Sequence, residues 1–190
     1  MNREEALIIL HQYVTKTPLI NHMLSVEAAM RFYASKLNQD VEIWGICGLL
    51  HDFDYEIHPD LERHPQKGAE ILRKLNVPEE IIQTILSHAE HSGIPRDTQI
   101  KKALFACDEI TGLITACALV RPSKSLLDLE VSSVKKKWPN KQFAAGANRD
   151  EIEQAAFDFG LDLWDHVENI IQAMKTIAVE ISLDGSLVNK

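Results

Sequence analysis

The chain has 190 residues, a formal net charge of −8, and hydrophobic and charged fractions of 45% and 25%. That is an ordinary globular composition, long enough to bury a substantial core in one domain, and it excludes a disordered chain. The acidic balance disfavours general binding to nucleic acid or anionic membranes, while a small anionic substrate held through a metal stays open. Helical periodicity dominates along the chain, and no alternating strand of useful length occurs, so the predicted class is all-α. Helices are expected at about Arg3 to Val14, Asn21 to Leu37, Val41 to Leu50, Pro65 to Leu75 and Pro78 to His88. Four more follow at about Gln99 to Val120, Ser125 to Lys137, Asp150 to Phe159 and Leu161 to Ile181.

Proline at the first helical position costs no hydrogen bond, which explains Pro65 and Pro78, whereas Pro18, Pro95, Pro122 and Pro139 read as connections. The segment Trp138 to Arg149, WPNKQFAAGANR, mixes turn formers with small residues and is the candidate for a long functional loop. In the C-terminal helix, Leu163, Trp164, Val167, Ile170, Ile171, Met174 and Ile177 cover much of the circumference. They imply packing on the domain, with a homodimer contact as the alternative.

Cys47, Cys107 and Cys117 lie in apolar helical contexts without metal-type spacing, which fits reduced core thiols in a cytoplasmic protein. The first residues, MNREEALIILHQYV, carry acids where a signal peptide would be basic. The longest apolar run, Ile110 to Val120, is too short for a bilayer span. A soluble cytoplasmic protein with no membrane partner is therefore expected.

The chemistry-bearing residues are His22, His51, Asp52, His64, His88, His91 and Asp108. His51 and Asp52 close the run VEIWGICGLL, for which Asp40 is the expected N-cap, and so stand at the inner end of a core helix. Burying such groups is costly unless they are paired or metal-bound. His88 and His91 are three apart and would project from one helix face. Asp108 lies within the apolar ALFACDEITGLI, where a carboxylate needs a partner. Each member taken singly has an ordinary alternative. His22 reads equally as a core or surface histidine, His64 as a loop residue before Pro65, and His88 and His91 as complements to a helix C-terminus. Jointly they form a mixed imidazole and carboxylate set, which suits Mn, Fe, Co, Ni or Zn better than Mg or Ca.

His22, His51-Asp52 and Asp108 match the H…HD…D pattern, and over about Asn21 to Leu119 the chain resembles the HD superfamily of metal-dependent phosphohydrolases. HPQKGAEIL and ILSHAEH resemble the segments that supply extra histidines in the dinuclear branch. HDFDYE and HAEHSGIP depart from the HDIGK and GYP motifs of the cyclic-dinucleotide branch, which argues against that substrate. The resemblance implies a helical bundle forming a single HD-type domain over 1–190, with a metal-binding core at about 21–120 and a helical extension at about 121–190. It further implies one ion held by His22, His51, Asp52 and Asp108, and a second sharing Asp52 with His64, His88 and His91. The implied activity is hydrolysis of a phosphomonoester or phosphodiester, including nucleotides, by a metal-activated hydroxide.

Asp54 is a candidate acid or base and Glu109 a candidate orienter of a ligand, with a solvated or capping carboxylate as the alternative for each. Arg121, Lys124 and Arg149 are candidates for gripping a small phosphorylated substrate, while Lys135, Lys136 and Lys137 read as complements to a helix dipole. Two other functions share the ligand set: a mixed-valent di-iron oxygenase of a small molecule, and a metal-binding signalling module without turnover.

Overall fold

The structure, a computed structural model, describes residues 1–189. Nine α-helices and no β-ladder longer than one isolated bridge occur among the described residues, so the chain is all-α. No helix among them is long and apolar enough to cross a membrane. The chain divides into two compact units, Met1–Phe105 and Ala106–Lys190. The division falls inside a helix, earlier than the position near 120 where the sequence places the start of the extension.

In the first unit, α1 (Arg3–Tyr13) starts at a capping box in which the Asn2 side chain accepts from the Glu5 amide and Glu5 accepts from the Asn2 amide. Helix α2 (Thr17–Lys36) begins before the expected Asn21, with Pro18 in its first turn rather than in a connection. A first-turn amide has no partner within the helix, so proline costs nothing there. Glu56 fixes the entrance to α2 by accepting from the Thr15 and Lys16 amides, both at 3.0 Å.

Helix α3 (Val41–Leu50) has the expected bounds, with Asp40 accepting from the Glu42 and Ile43 amides. It is apolar on nearly every side and packs against α1, α2 and later α5 (Glu79–Leu86), as an all-round hydrophobic helix must. Its closest approach is to α2. A Cβ on Gly48 would stand 2.9 Å from backbone atoms of Val26 and Glu27, so only glycine fits there. Glu27, 3% exposed on this face, accepts from Arg3 Nε at 2.6 Å and Arg31 Nε at 2.8 Å. Arg31 then reaches Glu42 at 3.0 Å, tying α1, α2 and α3 together around a carboxylate that could not be buried alone. Helix α4 (Gln66–Lys74) pairs with α5, and Leu72, Ile82 and Ile85 extend the core of Leu10, Met23, Met30, Ile46 and Leu50. Pro65 and Pro78 stand one residue before these helices, as N-caps.

Helix α6 (Gln99–Leu119) runs through the division. The second unit continues with α7 (Val131–Lys137), α8 (Arg149–Asp158) and α9 (Leu163–Lys175). Two expected helices are shorter than their patterns. Residues 125–130 are not helical, because Ser125 bridges Asp184 and the Leu126 amide donates to the Leu183 carbonyl at 2.7 Å. Helix α9 starts only after Asp162, which caps it, and gives way to turns after Lys175. Its apolar face is buried at Val167, Ile170, Ile171 and Met174, and His166 is buried with them.

Candidate metal centre

Four imidazoles and one carboxylate of the first unit come together. His22 comes from α2, His51 and Asp52 directly follow α3, His64 lies just before α4, and His88 just after α5. The His22 and His51 Nε2 atoms are 3.2 Å apart, and those of His64 and His88 are 3.1 Å apart. Asp52 stands between the two pairs. Its Oδ1 is 3.3 Å from the Nε2 atoms of both His64 and His88, while Oδ2 faces His51 Nε2 at 3.7 Å.

The opposite ring nitrogens define what these Nε2 atoms present. His51 Nδ1 donates to the Gly48 carbonyl at 2.8 Å and His88 Nδ1 to the Ile85 carbonyl at 2.6 Å. A carbonyl can only accept, so each ring has a proton on Nδ1, and in its neutral form it turns the Nε2 lone pair inward. His64 Nδ1 donates to Asp54 Oδ1 at 2.9 Å. Lone pairs facing at such distances repel unless a cation, a proton or a metal ion, lies between them. The electrostatics agree. Burial opposes ionisation of Asp52, but His51, His64 and His88 outweigh it and hold the carboxyl well below its usual range. Burial likewise works against a charged His64, yet its bonds to Asp52 and Asp54 raise it to about 9. This mixed nitrogen and oxygen set, with the rings of His51, His64 and His88 fixed from behind, could hold a divalent metal ion.

Asp54 has a different part from the acid or base expected. It is 1% exposed and both oxygens are engaged, Oδ1 by His64 and Oδ2 by the Gly68 amide at 2.9 Å. It orients the His64 ring and keeps little contact with solvent. Gly68 is a site residue beyond those expected, and its signal in the sequence is a glycine in the first turn of an amphipathic helix. A Cβ there would come within 2.6 Å of the Asp54 carboxyl carbon.

His91 does not share a helix face with His88. Helix α5 stops at Leu86, and His91 falls in a separate 3-10 turn, Glu90–Ser92, with its Nε2 bonded to the His64 carbonyl at 2.8 Å. Asp108 is carried by α6 in the second unit, beside buried Cys107, Ile110 and Thr111. Glu109 accepts from the Asn148 amide at 2.8 Å at the start of α8, and so braces a loop where a ligand was the expected partner. Burial pushes its carboxyl up to about 7.

The arginines expected to grip substrate are engaged elsewhere. Arg121 pairs with Asp128 at 2.8 Å and donates to Ser133 at 2.9 Å. Arg149, 4% exposed, donates to the carbonyls of Phe143, Ala144 and Ala147 and so folds the small-residue loop around itself. Lys124 is exposed.

Residues 19–120 match the model of the HD domain family. The chain is 30% identical to ribonuclease Y of Lawsonia intracellularis over 95 residues, which is 50% of this chain and 18% of that protein. It is 28% identical to ribonuclease Y of Desulfotalea psychrophila over 136 residues, 70% of this chain and 26% of that one. Ribonuclease Y of Thermotoga petrophila is 28% identical over 134 residues, with the same two shares. The matched region thus makes up only about a fifth to a quarter of these curated relatives. No solved structure matches the chain.

Proposed function

The chain belongs to the HD domain family, and from that premise we propose that it is a metal-dependent hydrolase of a phosphomonoester or phosphodiester. The observation that carries this reading is the place of Asp52, with one oxygen toward His51 and the other toward His64 and His88. In this reading Asp52 is shared by two ions. His22, His51 and, by the family's motif order, Asp108 hold the first, and His64 and His88 the second. His91, whose Nε2 is bonded to a carbonyl, is left out of the set.

Divalent ions of the Mn, Fe, Co, Ni or Zn type would lower the pKa of a shared water and neutralise phosphate oxygens. The chain's own contribution is to hold the rings. The Gly48 and Ile85 carbonyls and the Asp54 carboxylate each fix one imidazole with its Nε2 turned inward. Of the three cations expected to contact a phosphorylated substrate, Lys124 is the exposed one. The ribonuclease name borne by the relatives favours a phosphodiester, and the net charge of −8 favours a small one over a long polyanion. A cytoplasmic setting is part of the same proposal.

The test is metal analysis of protein purified without added metal, followed by an anaerobic panel with Mn, Co, Ni and Fe. The panel includes aryl phosphates, bis-aryl phosphates, nucleotides and short oligoribonucleotides. Phosphoester cleavage without oxygen is expected. A protein that holds no metal and takes none up overturns the reading, and turnover that requires iron and consumes oxygen replaces it with an oxygenase.

A further inference from the structure

We propose that Arg96 is a positioning residue for His88 and, through it, for the second ion of the centre; this inference rests on the two-ion reading above. Helix α5 ends at Leu86, so Ser87 and His88 leave it with carbonyls that have no helical partners. Arg96 supplies them. Its Nε donates to the Ser87 carbonyl at 2.9 Å, and its terminal nitrogen lies 3.4 Å from the His88 carbonyl. The guanidinium carbon sits 3.4 Å from the centroid of the Phe105 ring, so the fork is also held on one face.

The consequence falls on the imidazole. His88 Nδ1 reaches back to the Ile85 carbonyl, so the ring is aimed by the backbone of residues 85–88. One end of that segment is the last turn of α5, and the other is the pair of carbonyls that Arg96 gathers. His88 Nε2 meets Asp52 at 3.3 Å and His64 at 3.1 Å, distances that a small rotation of the segment would change. Arg96 also places a positive charge at a helix C-terminus, where it is favoured. A lysine in its place could complement that charge, but its ammonium is a point charge on a flexible stem, without a planar fork to fix both carbonyls from one face of a ring.

The experiment measures the number and affinity of bound Mn and Co ions in the full chain by equilibrium dialysis, together with thermal melting and Co absorption spectra. Wild type is compared with Arg96→Lys, Arg96→Ala and Phe105→Leu. The first ion is expected to bind alike in all four. The second is expected to weaken about tenfold or more in Arg96→Ala, less in the other two, with a changed Co spectrum. Should Arg96→Ala not fold, Arg96→Lys and Phe105→Leu carry the measurement. Lower melting temperatures with both ions retained at wild-type affinity, or with both weakened equally, would mean a structural role only and overturn the proposal. A wild-type chain that takes up no second ion overturns the two-ion reading along with it.

Discussion

The Gly68 amide donates to Asp54 at 2.9 Å, and the same glycine lacks the Cβ that would otherwise occupy the carboxylate's place. Donor and cavity come from one residue, and both serve the ring of His64. Gly68→Ala is therefore expected to displace Asp54 and loosen the second ion while α4 still forms. Alanine is the better helix former, so helicity measured by circular dichroism should hold while metal affinity falls about tenfold or more.

Asp54→Asn keeps the shape of the side chain but replaces one acceptor oxygen with a donor. Either the Gly68 amide or His64 Nδ1 must then face an N–H group. A buried donor left unsatisfied costs about 1–3 kcal/mol. Isothermal titration should show the second ion weakened and the first unchanged. Equal loss of both ions would argue for a role nearer the reacting water.

Asp52→Ala is expected to abolish uptake of both ions, His22→Ala to spare the second, and His88→Ala to spare the first. Elemental analysis after gel filtration reads this asymmetry directly. An Asp52→Ala protein still carrying one tightly held ion would falsify the sharing of that carboxylate.

Glu27→Ala removes the acceptor from two arginines at the joint of α1, α2 and α3. Breaking such a buried pair from one side costs about 3–5 kcal/mol, and since Arg3 and Arg31 keep some solvent access the low end is expected. The midpoint of urea unfolding should fall accordingly. Combining Glu27→Leu with Arg3→Met and Arg31→Met should recover much of the loss, because neither arginine is then stranded.

His166 is fully buried and its Nε2 donates to the Ala106 carbonyl at 2.8 Å. Burial lowers its pKa to about 4 from the ordinary 6.5, against the opposing pull of that carbonyl. Between those values the unfolded chain takes up a proton that the folded chain refuses, so stability is whole above pH 6.5 and falls as pH drops toward 4. The shift amounts to about 3 kcal/mol. In His166→Gln, melting temperature should vary less with pH across this window than in wild type.

Legibility followed the range of the forces involved. Helix α3 could be read residue by residue, since Asp40 caps it locally and its unbroken apolar run sets its length. The order His22, His51, Asp52, His64, His88 was legible because buried imidazoles and a carboxylate must answer to something. What escaped depends on long-range contacts. SLLDLE has a helical look, but the Leu126 amide is taken by Leu183 from far along the chain. ILSHAEH continues the pattern of α5, yet the helix stops at Leu86 and Arg96 collects the carbonyls beyond it. Arg121 and Arg149 looked available because the sequence gives no sign of the loop carbonyls and of Asp128, which engage them.

That engagement of the two guanidiniums bears on how the protein would sense its ligand. With Arg121 and Arg149 occupied, attraction for an anion would fall, in the proposed reading, mainly to ions held around Asp52, in a molecule whose own charge is −8. Stripped of metal, the protein should be nearly blind to phosphate, and each ion restored should sharpen its vision. Loading state and ligand affinity would then rise together, making metal supply a rheostat for recognition as well as for turnover.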